Sequence, residues 1–163
     1  MNYFSQIKPS DPFTFARTGH VVRNRSVLAA MTNKQSHKDG SLSDQEIRWL
    51  NRRAKGGFGI VTTAAANISK DGQGWKGELG LYDDRYIDNL IKLVNSVHNH
   101  DSLIFAQLFH GGMRAPESLT GTQPISASRV ACKESSTGYT KPASADDIRR
   151  IIQDFTLSAE RCV

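Results

Sequence analysis

The stretch "IFAQLFHGG", Ile104 to Gly112, decides how this chain is read. Its apolar start has the composition of a buried strand. Yet a glutamine, Gln107, stands where that strand should end, and a histidine follows three positions later. A buried side-chain amide without partners costs on the order of a few kcal/mol. Gln107 is therefore either bonded by the protein or aimed at something that is not protein.

The strand "LIFAQLF" is the third of a series. After "FTFARTGHVVRNR", which can be read as a short hairpin, the apolar run "SVLAAM" reads as a first strand. A polar loop with a turn signal at Asp39-Gly40 follows. Ser43, with Glu46 three residues on, has the pattern of a capping box and opens a helix that ends near Lys55-Gly56-Gly57. The second strand, "FGIVTTAA", comes at once. A glycine-rich loop, "NISKDGQGWKGELGLYDD", leads to a second helix from Asp83 or Asp84 to about His100. Its Ile87, Leu90, Ile91, Val94 and Val97 keep helical spacing. Beyond the third strand and another long loop, Ser144 with Asp147 opens a third helix, where Ile148, Ile151, Ile152 and Phe155 repeat the pattern.

Apolar strands joined by helical crossovers mean a parallel α/β sheet covered by helices. Two architectures fit, a doubly wound sheet and part of a (β/α)8 TIM barrel. A full barrel takes about 250 residues, so about three βα units are only the N-terminal part of one. The loops favour the barrel, because the long loop follows the strand in each unit and the helix-to-strand connections are short. No linker divides residues 1–163 into separate domains.

Of the 163 residues, 38% are hydrophobic, as suits a soluble globular chain. No apolar run approaches the roughly 20 residues of a membrane helix. The start "MNYFSQIKPS" lacks the basic and apolar regions of a secretory signal. Cys132 and Cys162 lie far apart without metal-ligand spacing and read as free thiols, which points to the cytoplasm. The formal charge of +5 is dispersed, and its densest cluster, "RWLNRRAK", belongs to an amphipathic helix. A solvated basic surface is the better account than a nucleic-acid partner.

The run "KGGFGI" is not a dinucleotide fingerprint, because it follows a helix and precedes a strand. The five histidines (His20, His37, His98, His100 and His110) are scattered, and no metal site is expected. What remains is a set of residues at strand ends: Thr32 after the first, Ala64 to Asn67 after the second, and Gln107 after the third. Ligands bind at the carboxyl ends of parallel strands. A hydroxyl, small residues and an amide there suit a flat heteroaromatic ring with amide-like edges. Ordinary packing and capping remain the competing account.

The residues also carry a resemblance. "NRSVLAAMT" (Asn24–Thr32) resembles the NRxVxAPMT segment of the old yellow enzyme family of FMN-dependent ene-reductases. "RAKGGFGIVTTAAANIS" resembles its RAKGGxGLIITEAxxVS segment, "GLYDDRYIDNLIKLVNSVH" its GIYxDxxIxxxKxLxxAVH, and "IFAQLFHGGMR" its IxxQLxHxGR. The motifs occur in order across essentially the whole chain. The resemblance implies a TIM barrel with FMN at the C-terminal strand ends, reduced by NADH or NADPH and reoxidised by a small activated alkene. It sets Ala29, Ala30 and Met31 along the flavin, the Thr32 hydroxyl near the flavin C4 carbonyl and N5, Ala65 beside the ring, and Gln107 at the pyrimidine edge. Phe109 would line the substrate pocket.

There are departures from the family pattern. Ala30 replaces a proline, Ala64 stands where a glutamate is common, Leu79 replaces a proline, and Arg114 comes one place late. The family's substrate-gripping pair, its tyrosine proton donor and its phosphate loops follow later than this chain reaches, so no catalytic residue is expected here. Three units leave edges and helix faces unpaired. The expected partner is the remaining barrel half or a second copy. The alternative to an enzyme is a non-catalytic half-barrel that oligomerises and binds flavin weakly or not at all.

Overall fold

A computed structural model describes residues 7–163. The start "MNYFSQIKPS", read above for a leader, lies mostly outside them. The chain opens with a two-stranded antiparallel hairpin, β1 (Phe13–Thr14) and β2 (Val21–Val22), as one reading of the sequence had it. Three βα units follow. They are β3 (Val27–Leu28) with α1 (Asp44–Lys55), β4 (Ile60–Asn67) with α2 (Ile87–His98), and β6 (Leu103–Phe109) with α4 (Ala145–Glu160). The long loops carry β5 (Leu79–Gly80), a short α3 (Glu117–Thr120), and the pair β7 (Ile125–Ser126) and β8 (Lys141–Pro142).

The main sheet is parallel and centred on β4. One edge of β4 pairs with β6 along its length, while the other takes β3 at Ile60–Val61 and β5 at Ala66–Asn67. This shortens the first strand. The composition of "SVLAAM" predicts a longer strand, but only Val27–Leu28 join the ladder, because β5 occupies the carboxyl half of that edge.

The core lies between the sheet and the first two helices. Leu28, Val61 and Ala66 of the sheet meet Leu50 and Ala54 of α1 and Leu93 and Val97 of α2, all nearly inaccessible to solvent. At the strands' amino ends Arg23 ties three pieces together: its guanidinium donates to the carbonyls of Ala54 and Phe58 and to Ser102 Oγ. Ser102 Oγ in turn donates to the Phe58 carbonyl at 2.6 Å.

Two capping readings come out differently. Ser144 and Asp147 form a complete capping box at α4. Ser43 caps α1, but Glu46 does not reach back to it. Its carboxylate is fully buried and instead accepts from Asn33 Nδ2 at 2.9 Å and from the Ser36 hydroxyl. Burial of a carboxylate demands such partners, and here they fix the β3–α1 loop. That loop is joined to the next by Ser36 N donating to the Gly77 carbonyl at 3.2 Å and Gly80 N to the Gly40 carbonyl at 2.9 Å. Gly77 has φ +76°, and a Cβ there would stand 2.8 Å from the Lys34 carbonyl oxygen, so only glycine fits.

The outer layer is incomplete. On α2 the residues facing the core are Leu90, Leu93 and Val97, while Ile91, read as part of the same face, is 51% exposed. On α4, Ile148 and Ile152 are 51% and 60% exposed. An apolar cleft of about 370 Å³ opens between α2, β6 and the residues after α4, lined by Ile87, Ile91, Val94, Ile104 and Cys162.

Candidate functional site

Side-chain alternation decides which residues of β4 and β6 face away from the helices. On β6, Ile104 and Leu108 pack against the core, so Phe105, Gln107 and Phe109 point to the opposite, inner face. On β4, Val61 and Ala66 both belong to the core although they are five positions apart. An odd separation on one face requires an extra residue between them. The ladder contains it: Thr62 pairs with Phe105, but Ala65 pairs with Gln107, so the register shifts across Thr63 and Ala64. This β-bulge turns Ala65 to the inner face, beside Gln107.

The structure therefore brings Ala65 and Gln107 together. Ala65 is buried and Gln107 is exposed, and the Gln107 amide makes no side-chain hydrogen bond among the described residues. The cost of a buried amide raised by the sequence does not arise, since the inner face is open. Ala29, Ala30, Met31 and Thr32 continue from β3 past the Leu28–Val61 pair toward the same end of the sheet. Met31 is 46% exposed, and the exposed Thr32 hydroxyl has no partner among the described residues. Phe109 is half-buried, with the Trp75 ring 5.4 Å away. Below them the inner face is plugged by the hairpin, whose Phe15 ring lies 6.4 Å from that of Phe105.

Two polar clusters in the loops above the strands carry no sequence signal of their own. Glu78 is buried and accepts from Gly74 N at 2.6 Å, while its Oε1 has no partner. Burial pushes this carboxyl up to about 7, against the pull of the Gly74 and Trp75 backbone amides. Nothing in the sequence marked it beyond a glutamate within a glycine-rich loop. In the second cluster, His110 Nδ1 accepts from Gly112 N at 3.0 Å, leaving the ring proton on Nε2, 3.8 Å from Asp71 Oδ1. Arg150 of α4 holds the other Asp71 oxygen at 2.6 Å. His110 first, then Ser69 and Arg150, keep the Asp71 carboxyl well below the usual carboxylate range despite its partial burial. Beside the histidine of the opening motif, Gly111 N donates to the Gly72 carbonyl at 2.7 Å and joins the third strand end to the preceding loop. No group of three His, Cys, Asp or Glu residues able to hold a metal occurs among the described residues.

The inner face has a small flat floor at Ala65, an unbonded amide at one edge, and a hydroxyl and apolar residues on the adjoining segment. These features fit one side of a flavin ring, whose pyrimidine edge offers both donor and acceptor groups. The model of the NADH:flavin oxidoreductase / NADH oxidase family matches residues 11–163. The chain belongs to this family. A probable NADH-dependent flavin oxidoreductase of Bacillus subtilis is 34% identical over 115 residues, covering 71% of this chain and 30% of that protein. An NADH oxidase of Thermoanaerobacter brockii is 32% identical over 152 residues, covering 91% of this chain and 23% of that protein. The old yellow enzyme of Pichia superposes with a TM-score of 0.86 at 18% identity, over 98% of this chain and 43% of that one. The homologue from Zymomonas mobilis gives 0.82 at 24%, over 94% and 44%. The fold is thus that of old yellow enzyme TIM barrels, and the chain spans less than half the length of each of these relatives.

Proposed function

We propose that residues 1–163 form a partial TIM-barrel flavin-binding domain, supplying one side of the FMN site of an ene-reductase-type oxidoreductase. The observation that carries this reading is the Ala65–Gln107 pair on the open inner face, with the amide unbonded. Bound there, FMN would supply hydride chemistry: two electrons and a proton arrive as hydride from NADH or NADPH. That hydride would pass to the β-carbon of an alkene conjugated to a carbonyl, and the α-carbon would take a proton. The residues of this chain bind and orient. Gln107 would bond the pyrimidine edge, the Thr32 hydroxyl would lie near the flavin C4 carbonyl and N5, and Ala65 would leave room for the ring. Ala29, Ala30 and Met31 would run along the ring, and Phe109 would line the side from which the alkene approaches. No catalytic acid is assigned to these residues. We assign the protein to the cytoplasm, on its two free thiols; among the described residues no helix is long and apolar enough to cross a membrane.

The test is a titration of the purified chain with FMN, followed by flavin fluorescence. Binding that Gln107→Ala weakens about tenfold is expected from the loss of hydrogen bonds at the ring edge. Absence of binding by the wild-type chain would sink the reading for this chain.

The exposed apolar residues Phe105, Ile148 and Ile152 favour a second reading, a half-barrel that associates and binds flavin weakly or not at all. Native mass and a visible spectrum on one natural sample separate the two. A longer chain or partner with flavin bands supports the enzyme, and a colourless oligomer of the 18.0 kDa chain supports the alternative.

A further inference from the structure

The bulge in β4 creates a problem that one side chain solves. Thr63 and Ala64 are set against the single residue Ala106, so the ladder is irregular just before Gln107. Thr63 Oγ1 stands 3.2 Å from Gln107 N and accepts from it, while the same hydroxyl donates to the Ala64 carbonyl at 2.7 Å. One buried hydroxyl, 3% exposed, thus bonds a backbone group of each strand at the bulge. Thr63 itself points to the helix side, where it lines the apolar cleft with Leu79, Leu93 and Ile104. It cannot touch anything bound on the inner face.

We propose that Thr63 is the positioning residue of the flavin floor: its hydroxyl pins the bulge and so holds Gln107 in register beside Ala65. The inference rests on the flavin-site reading above. The physical case is one of parity. Without the extra residue, Ala65 would turn toward the helices and Ala64 toward the inner face, and the partner opposite Gln107 would change. A valine at position 63 keeps the shape but offers no acceptor to Gln107 N and no donor to the Ala64 carbonyl. Both bonds at the bulge are then lost beside an apolar cleft, and the bulged form loses its advantage.

The experiment compares the wild-type chain with Thr63→Val and Thr63→Ser by residue-resolved amide exchange without flavin, and by FMN titration with the flavin absorption spectrum recorded. In the wild type the Gln107 amide is expected to be as protected as those of Phe105 and Phe109. In Thr63→Val its exchange should accelerate about tenfold or more, and Thr63→Ser should restore protection. FMN should bind Thr63→Val about tenfold more weakly, with an altered absorption band, and Thr63→Ser as the wild type.

A Gln107 amide unprotected in the wild type overturns the proposal even if Thr63→Val does not fold. So does full protection in Thr63→Val. Fast exchange with unchanged FMN affinity and spectrum overturns the link to the flavin. If the wild type binds no FMN, the flavin-site reading fails, and with it the flavin role of Thr63. The exchange rates then still accept or reject the pin on Gln107.

Discussion

Helices α1 and α4 both open on a serine N-cap, both repeat apolar residues at helical spacing, and both follow a strand of the same sheet. In α1 the apolar side is consumed: Leu50 and Ala54 are fully buried against Val61 and Leu28. In α4 the buried position is Ser158, and Ile148, Ile152 and Phe155 face solvent. What holds α4 is polar and lies toward its ends. Arg150 pairs with Asp71, Ser158 Oγ donates to the Leu81 carbonyl at 3.2 Å, and Arg161 pairs with Asp84 at 2.7 Å. An amphipathic sequence earns burial only where another element supplies the facing surface. The two helices share their local code and differ in what lies opposite them.

The largest expected effect breaks this contrast at its centre. Leu50→Ala should cost about 2–5 kcal/mol in urea unfolding, because a sealed core cannot collapse around the lost atoms. Ile152→Ala should stay within about 0.5 kcal/mol. Equal costs would show that α4 is packed as α1 is.

The next effect comes from the buried carboxyl of Glu78 in the loop that joins the well-packed units. Its folded value, about 7, lies above the ordinary 4.5. The folded state therefore holds a proton that the unfolded state releases, and stability should fall as pH rises through that window and level off above it. Urea midpoints at a series of pH values should show this slope in the wild type, and Glu78→Gln should flatten it.

Capping offers an intermediate effect on the weakly packed side. Ser144→Ala removes the hydroxyl that accepts from Asp147 N at 3.1 Å and should cost about 1 kcal/mol. Faster amide exchange in α4, with α1 unchanged, would be the reading. The smallest effect is electrostatic. Arg150→Ala should cost less than about 1 kcal/mol, since the pair with Asp71 is partly exposed. The Asp71 carboxyl is depressed in the folded state. Its contribution is present above the ordinary value of 3.8 and is lost as pH falls below it. Protection factors in α4, corrected for the intrinsic exchange rate at each pH, should therefore fall with acid and with salt in the wild type. Indifference to salt would remove the ion pairs from the account.

The sequence marked β6 to the residue and β4 two residues early at each end, since continuous apolar and β-branched runs between turn signals have few other solutions. The alternation of units and the asymmetry of the loops were enough to point to a barrel, and the motif series named its family. Gln107 stood out because an amide in an apolar run is conspicuous. Thr63 and Glu78 did not, because a threonine in a strand and a glutamate in a loop are ordinary.

Local chemistry thus determined the elements, their order and the polar residues at the strand ends. Tertiary structure alone decided the rest. The bulge that sets Ala65 beside Gln107 is a relation between two strands, invisible in either. Glu46 left its capping box because two loop side chains met it inside the core, and "SVLAAM" lost its far end to β5, which competes for the same edge of β4. Burial of α4 was decided by the surface opposite it. A residue's own preferences fix its local conformation, but register, burial and ionisation depend on neighbours that only folding assembles.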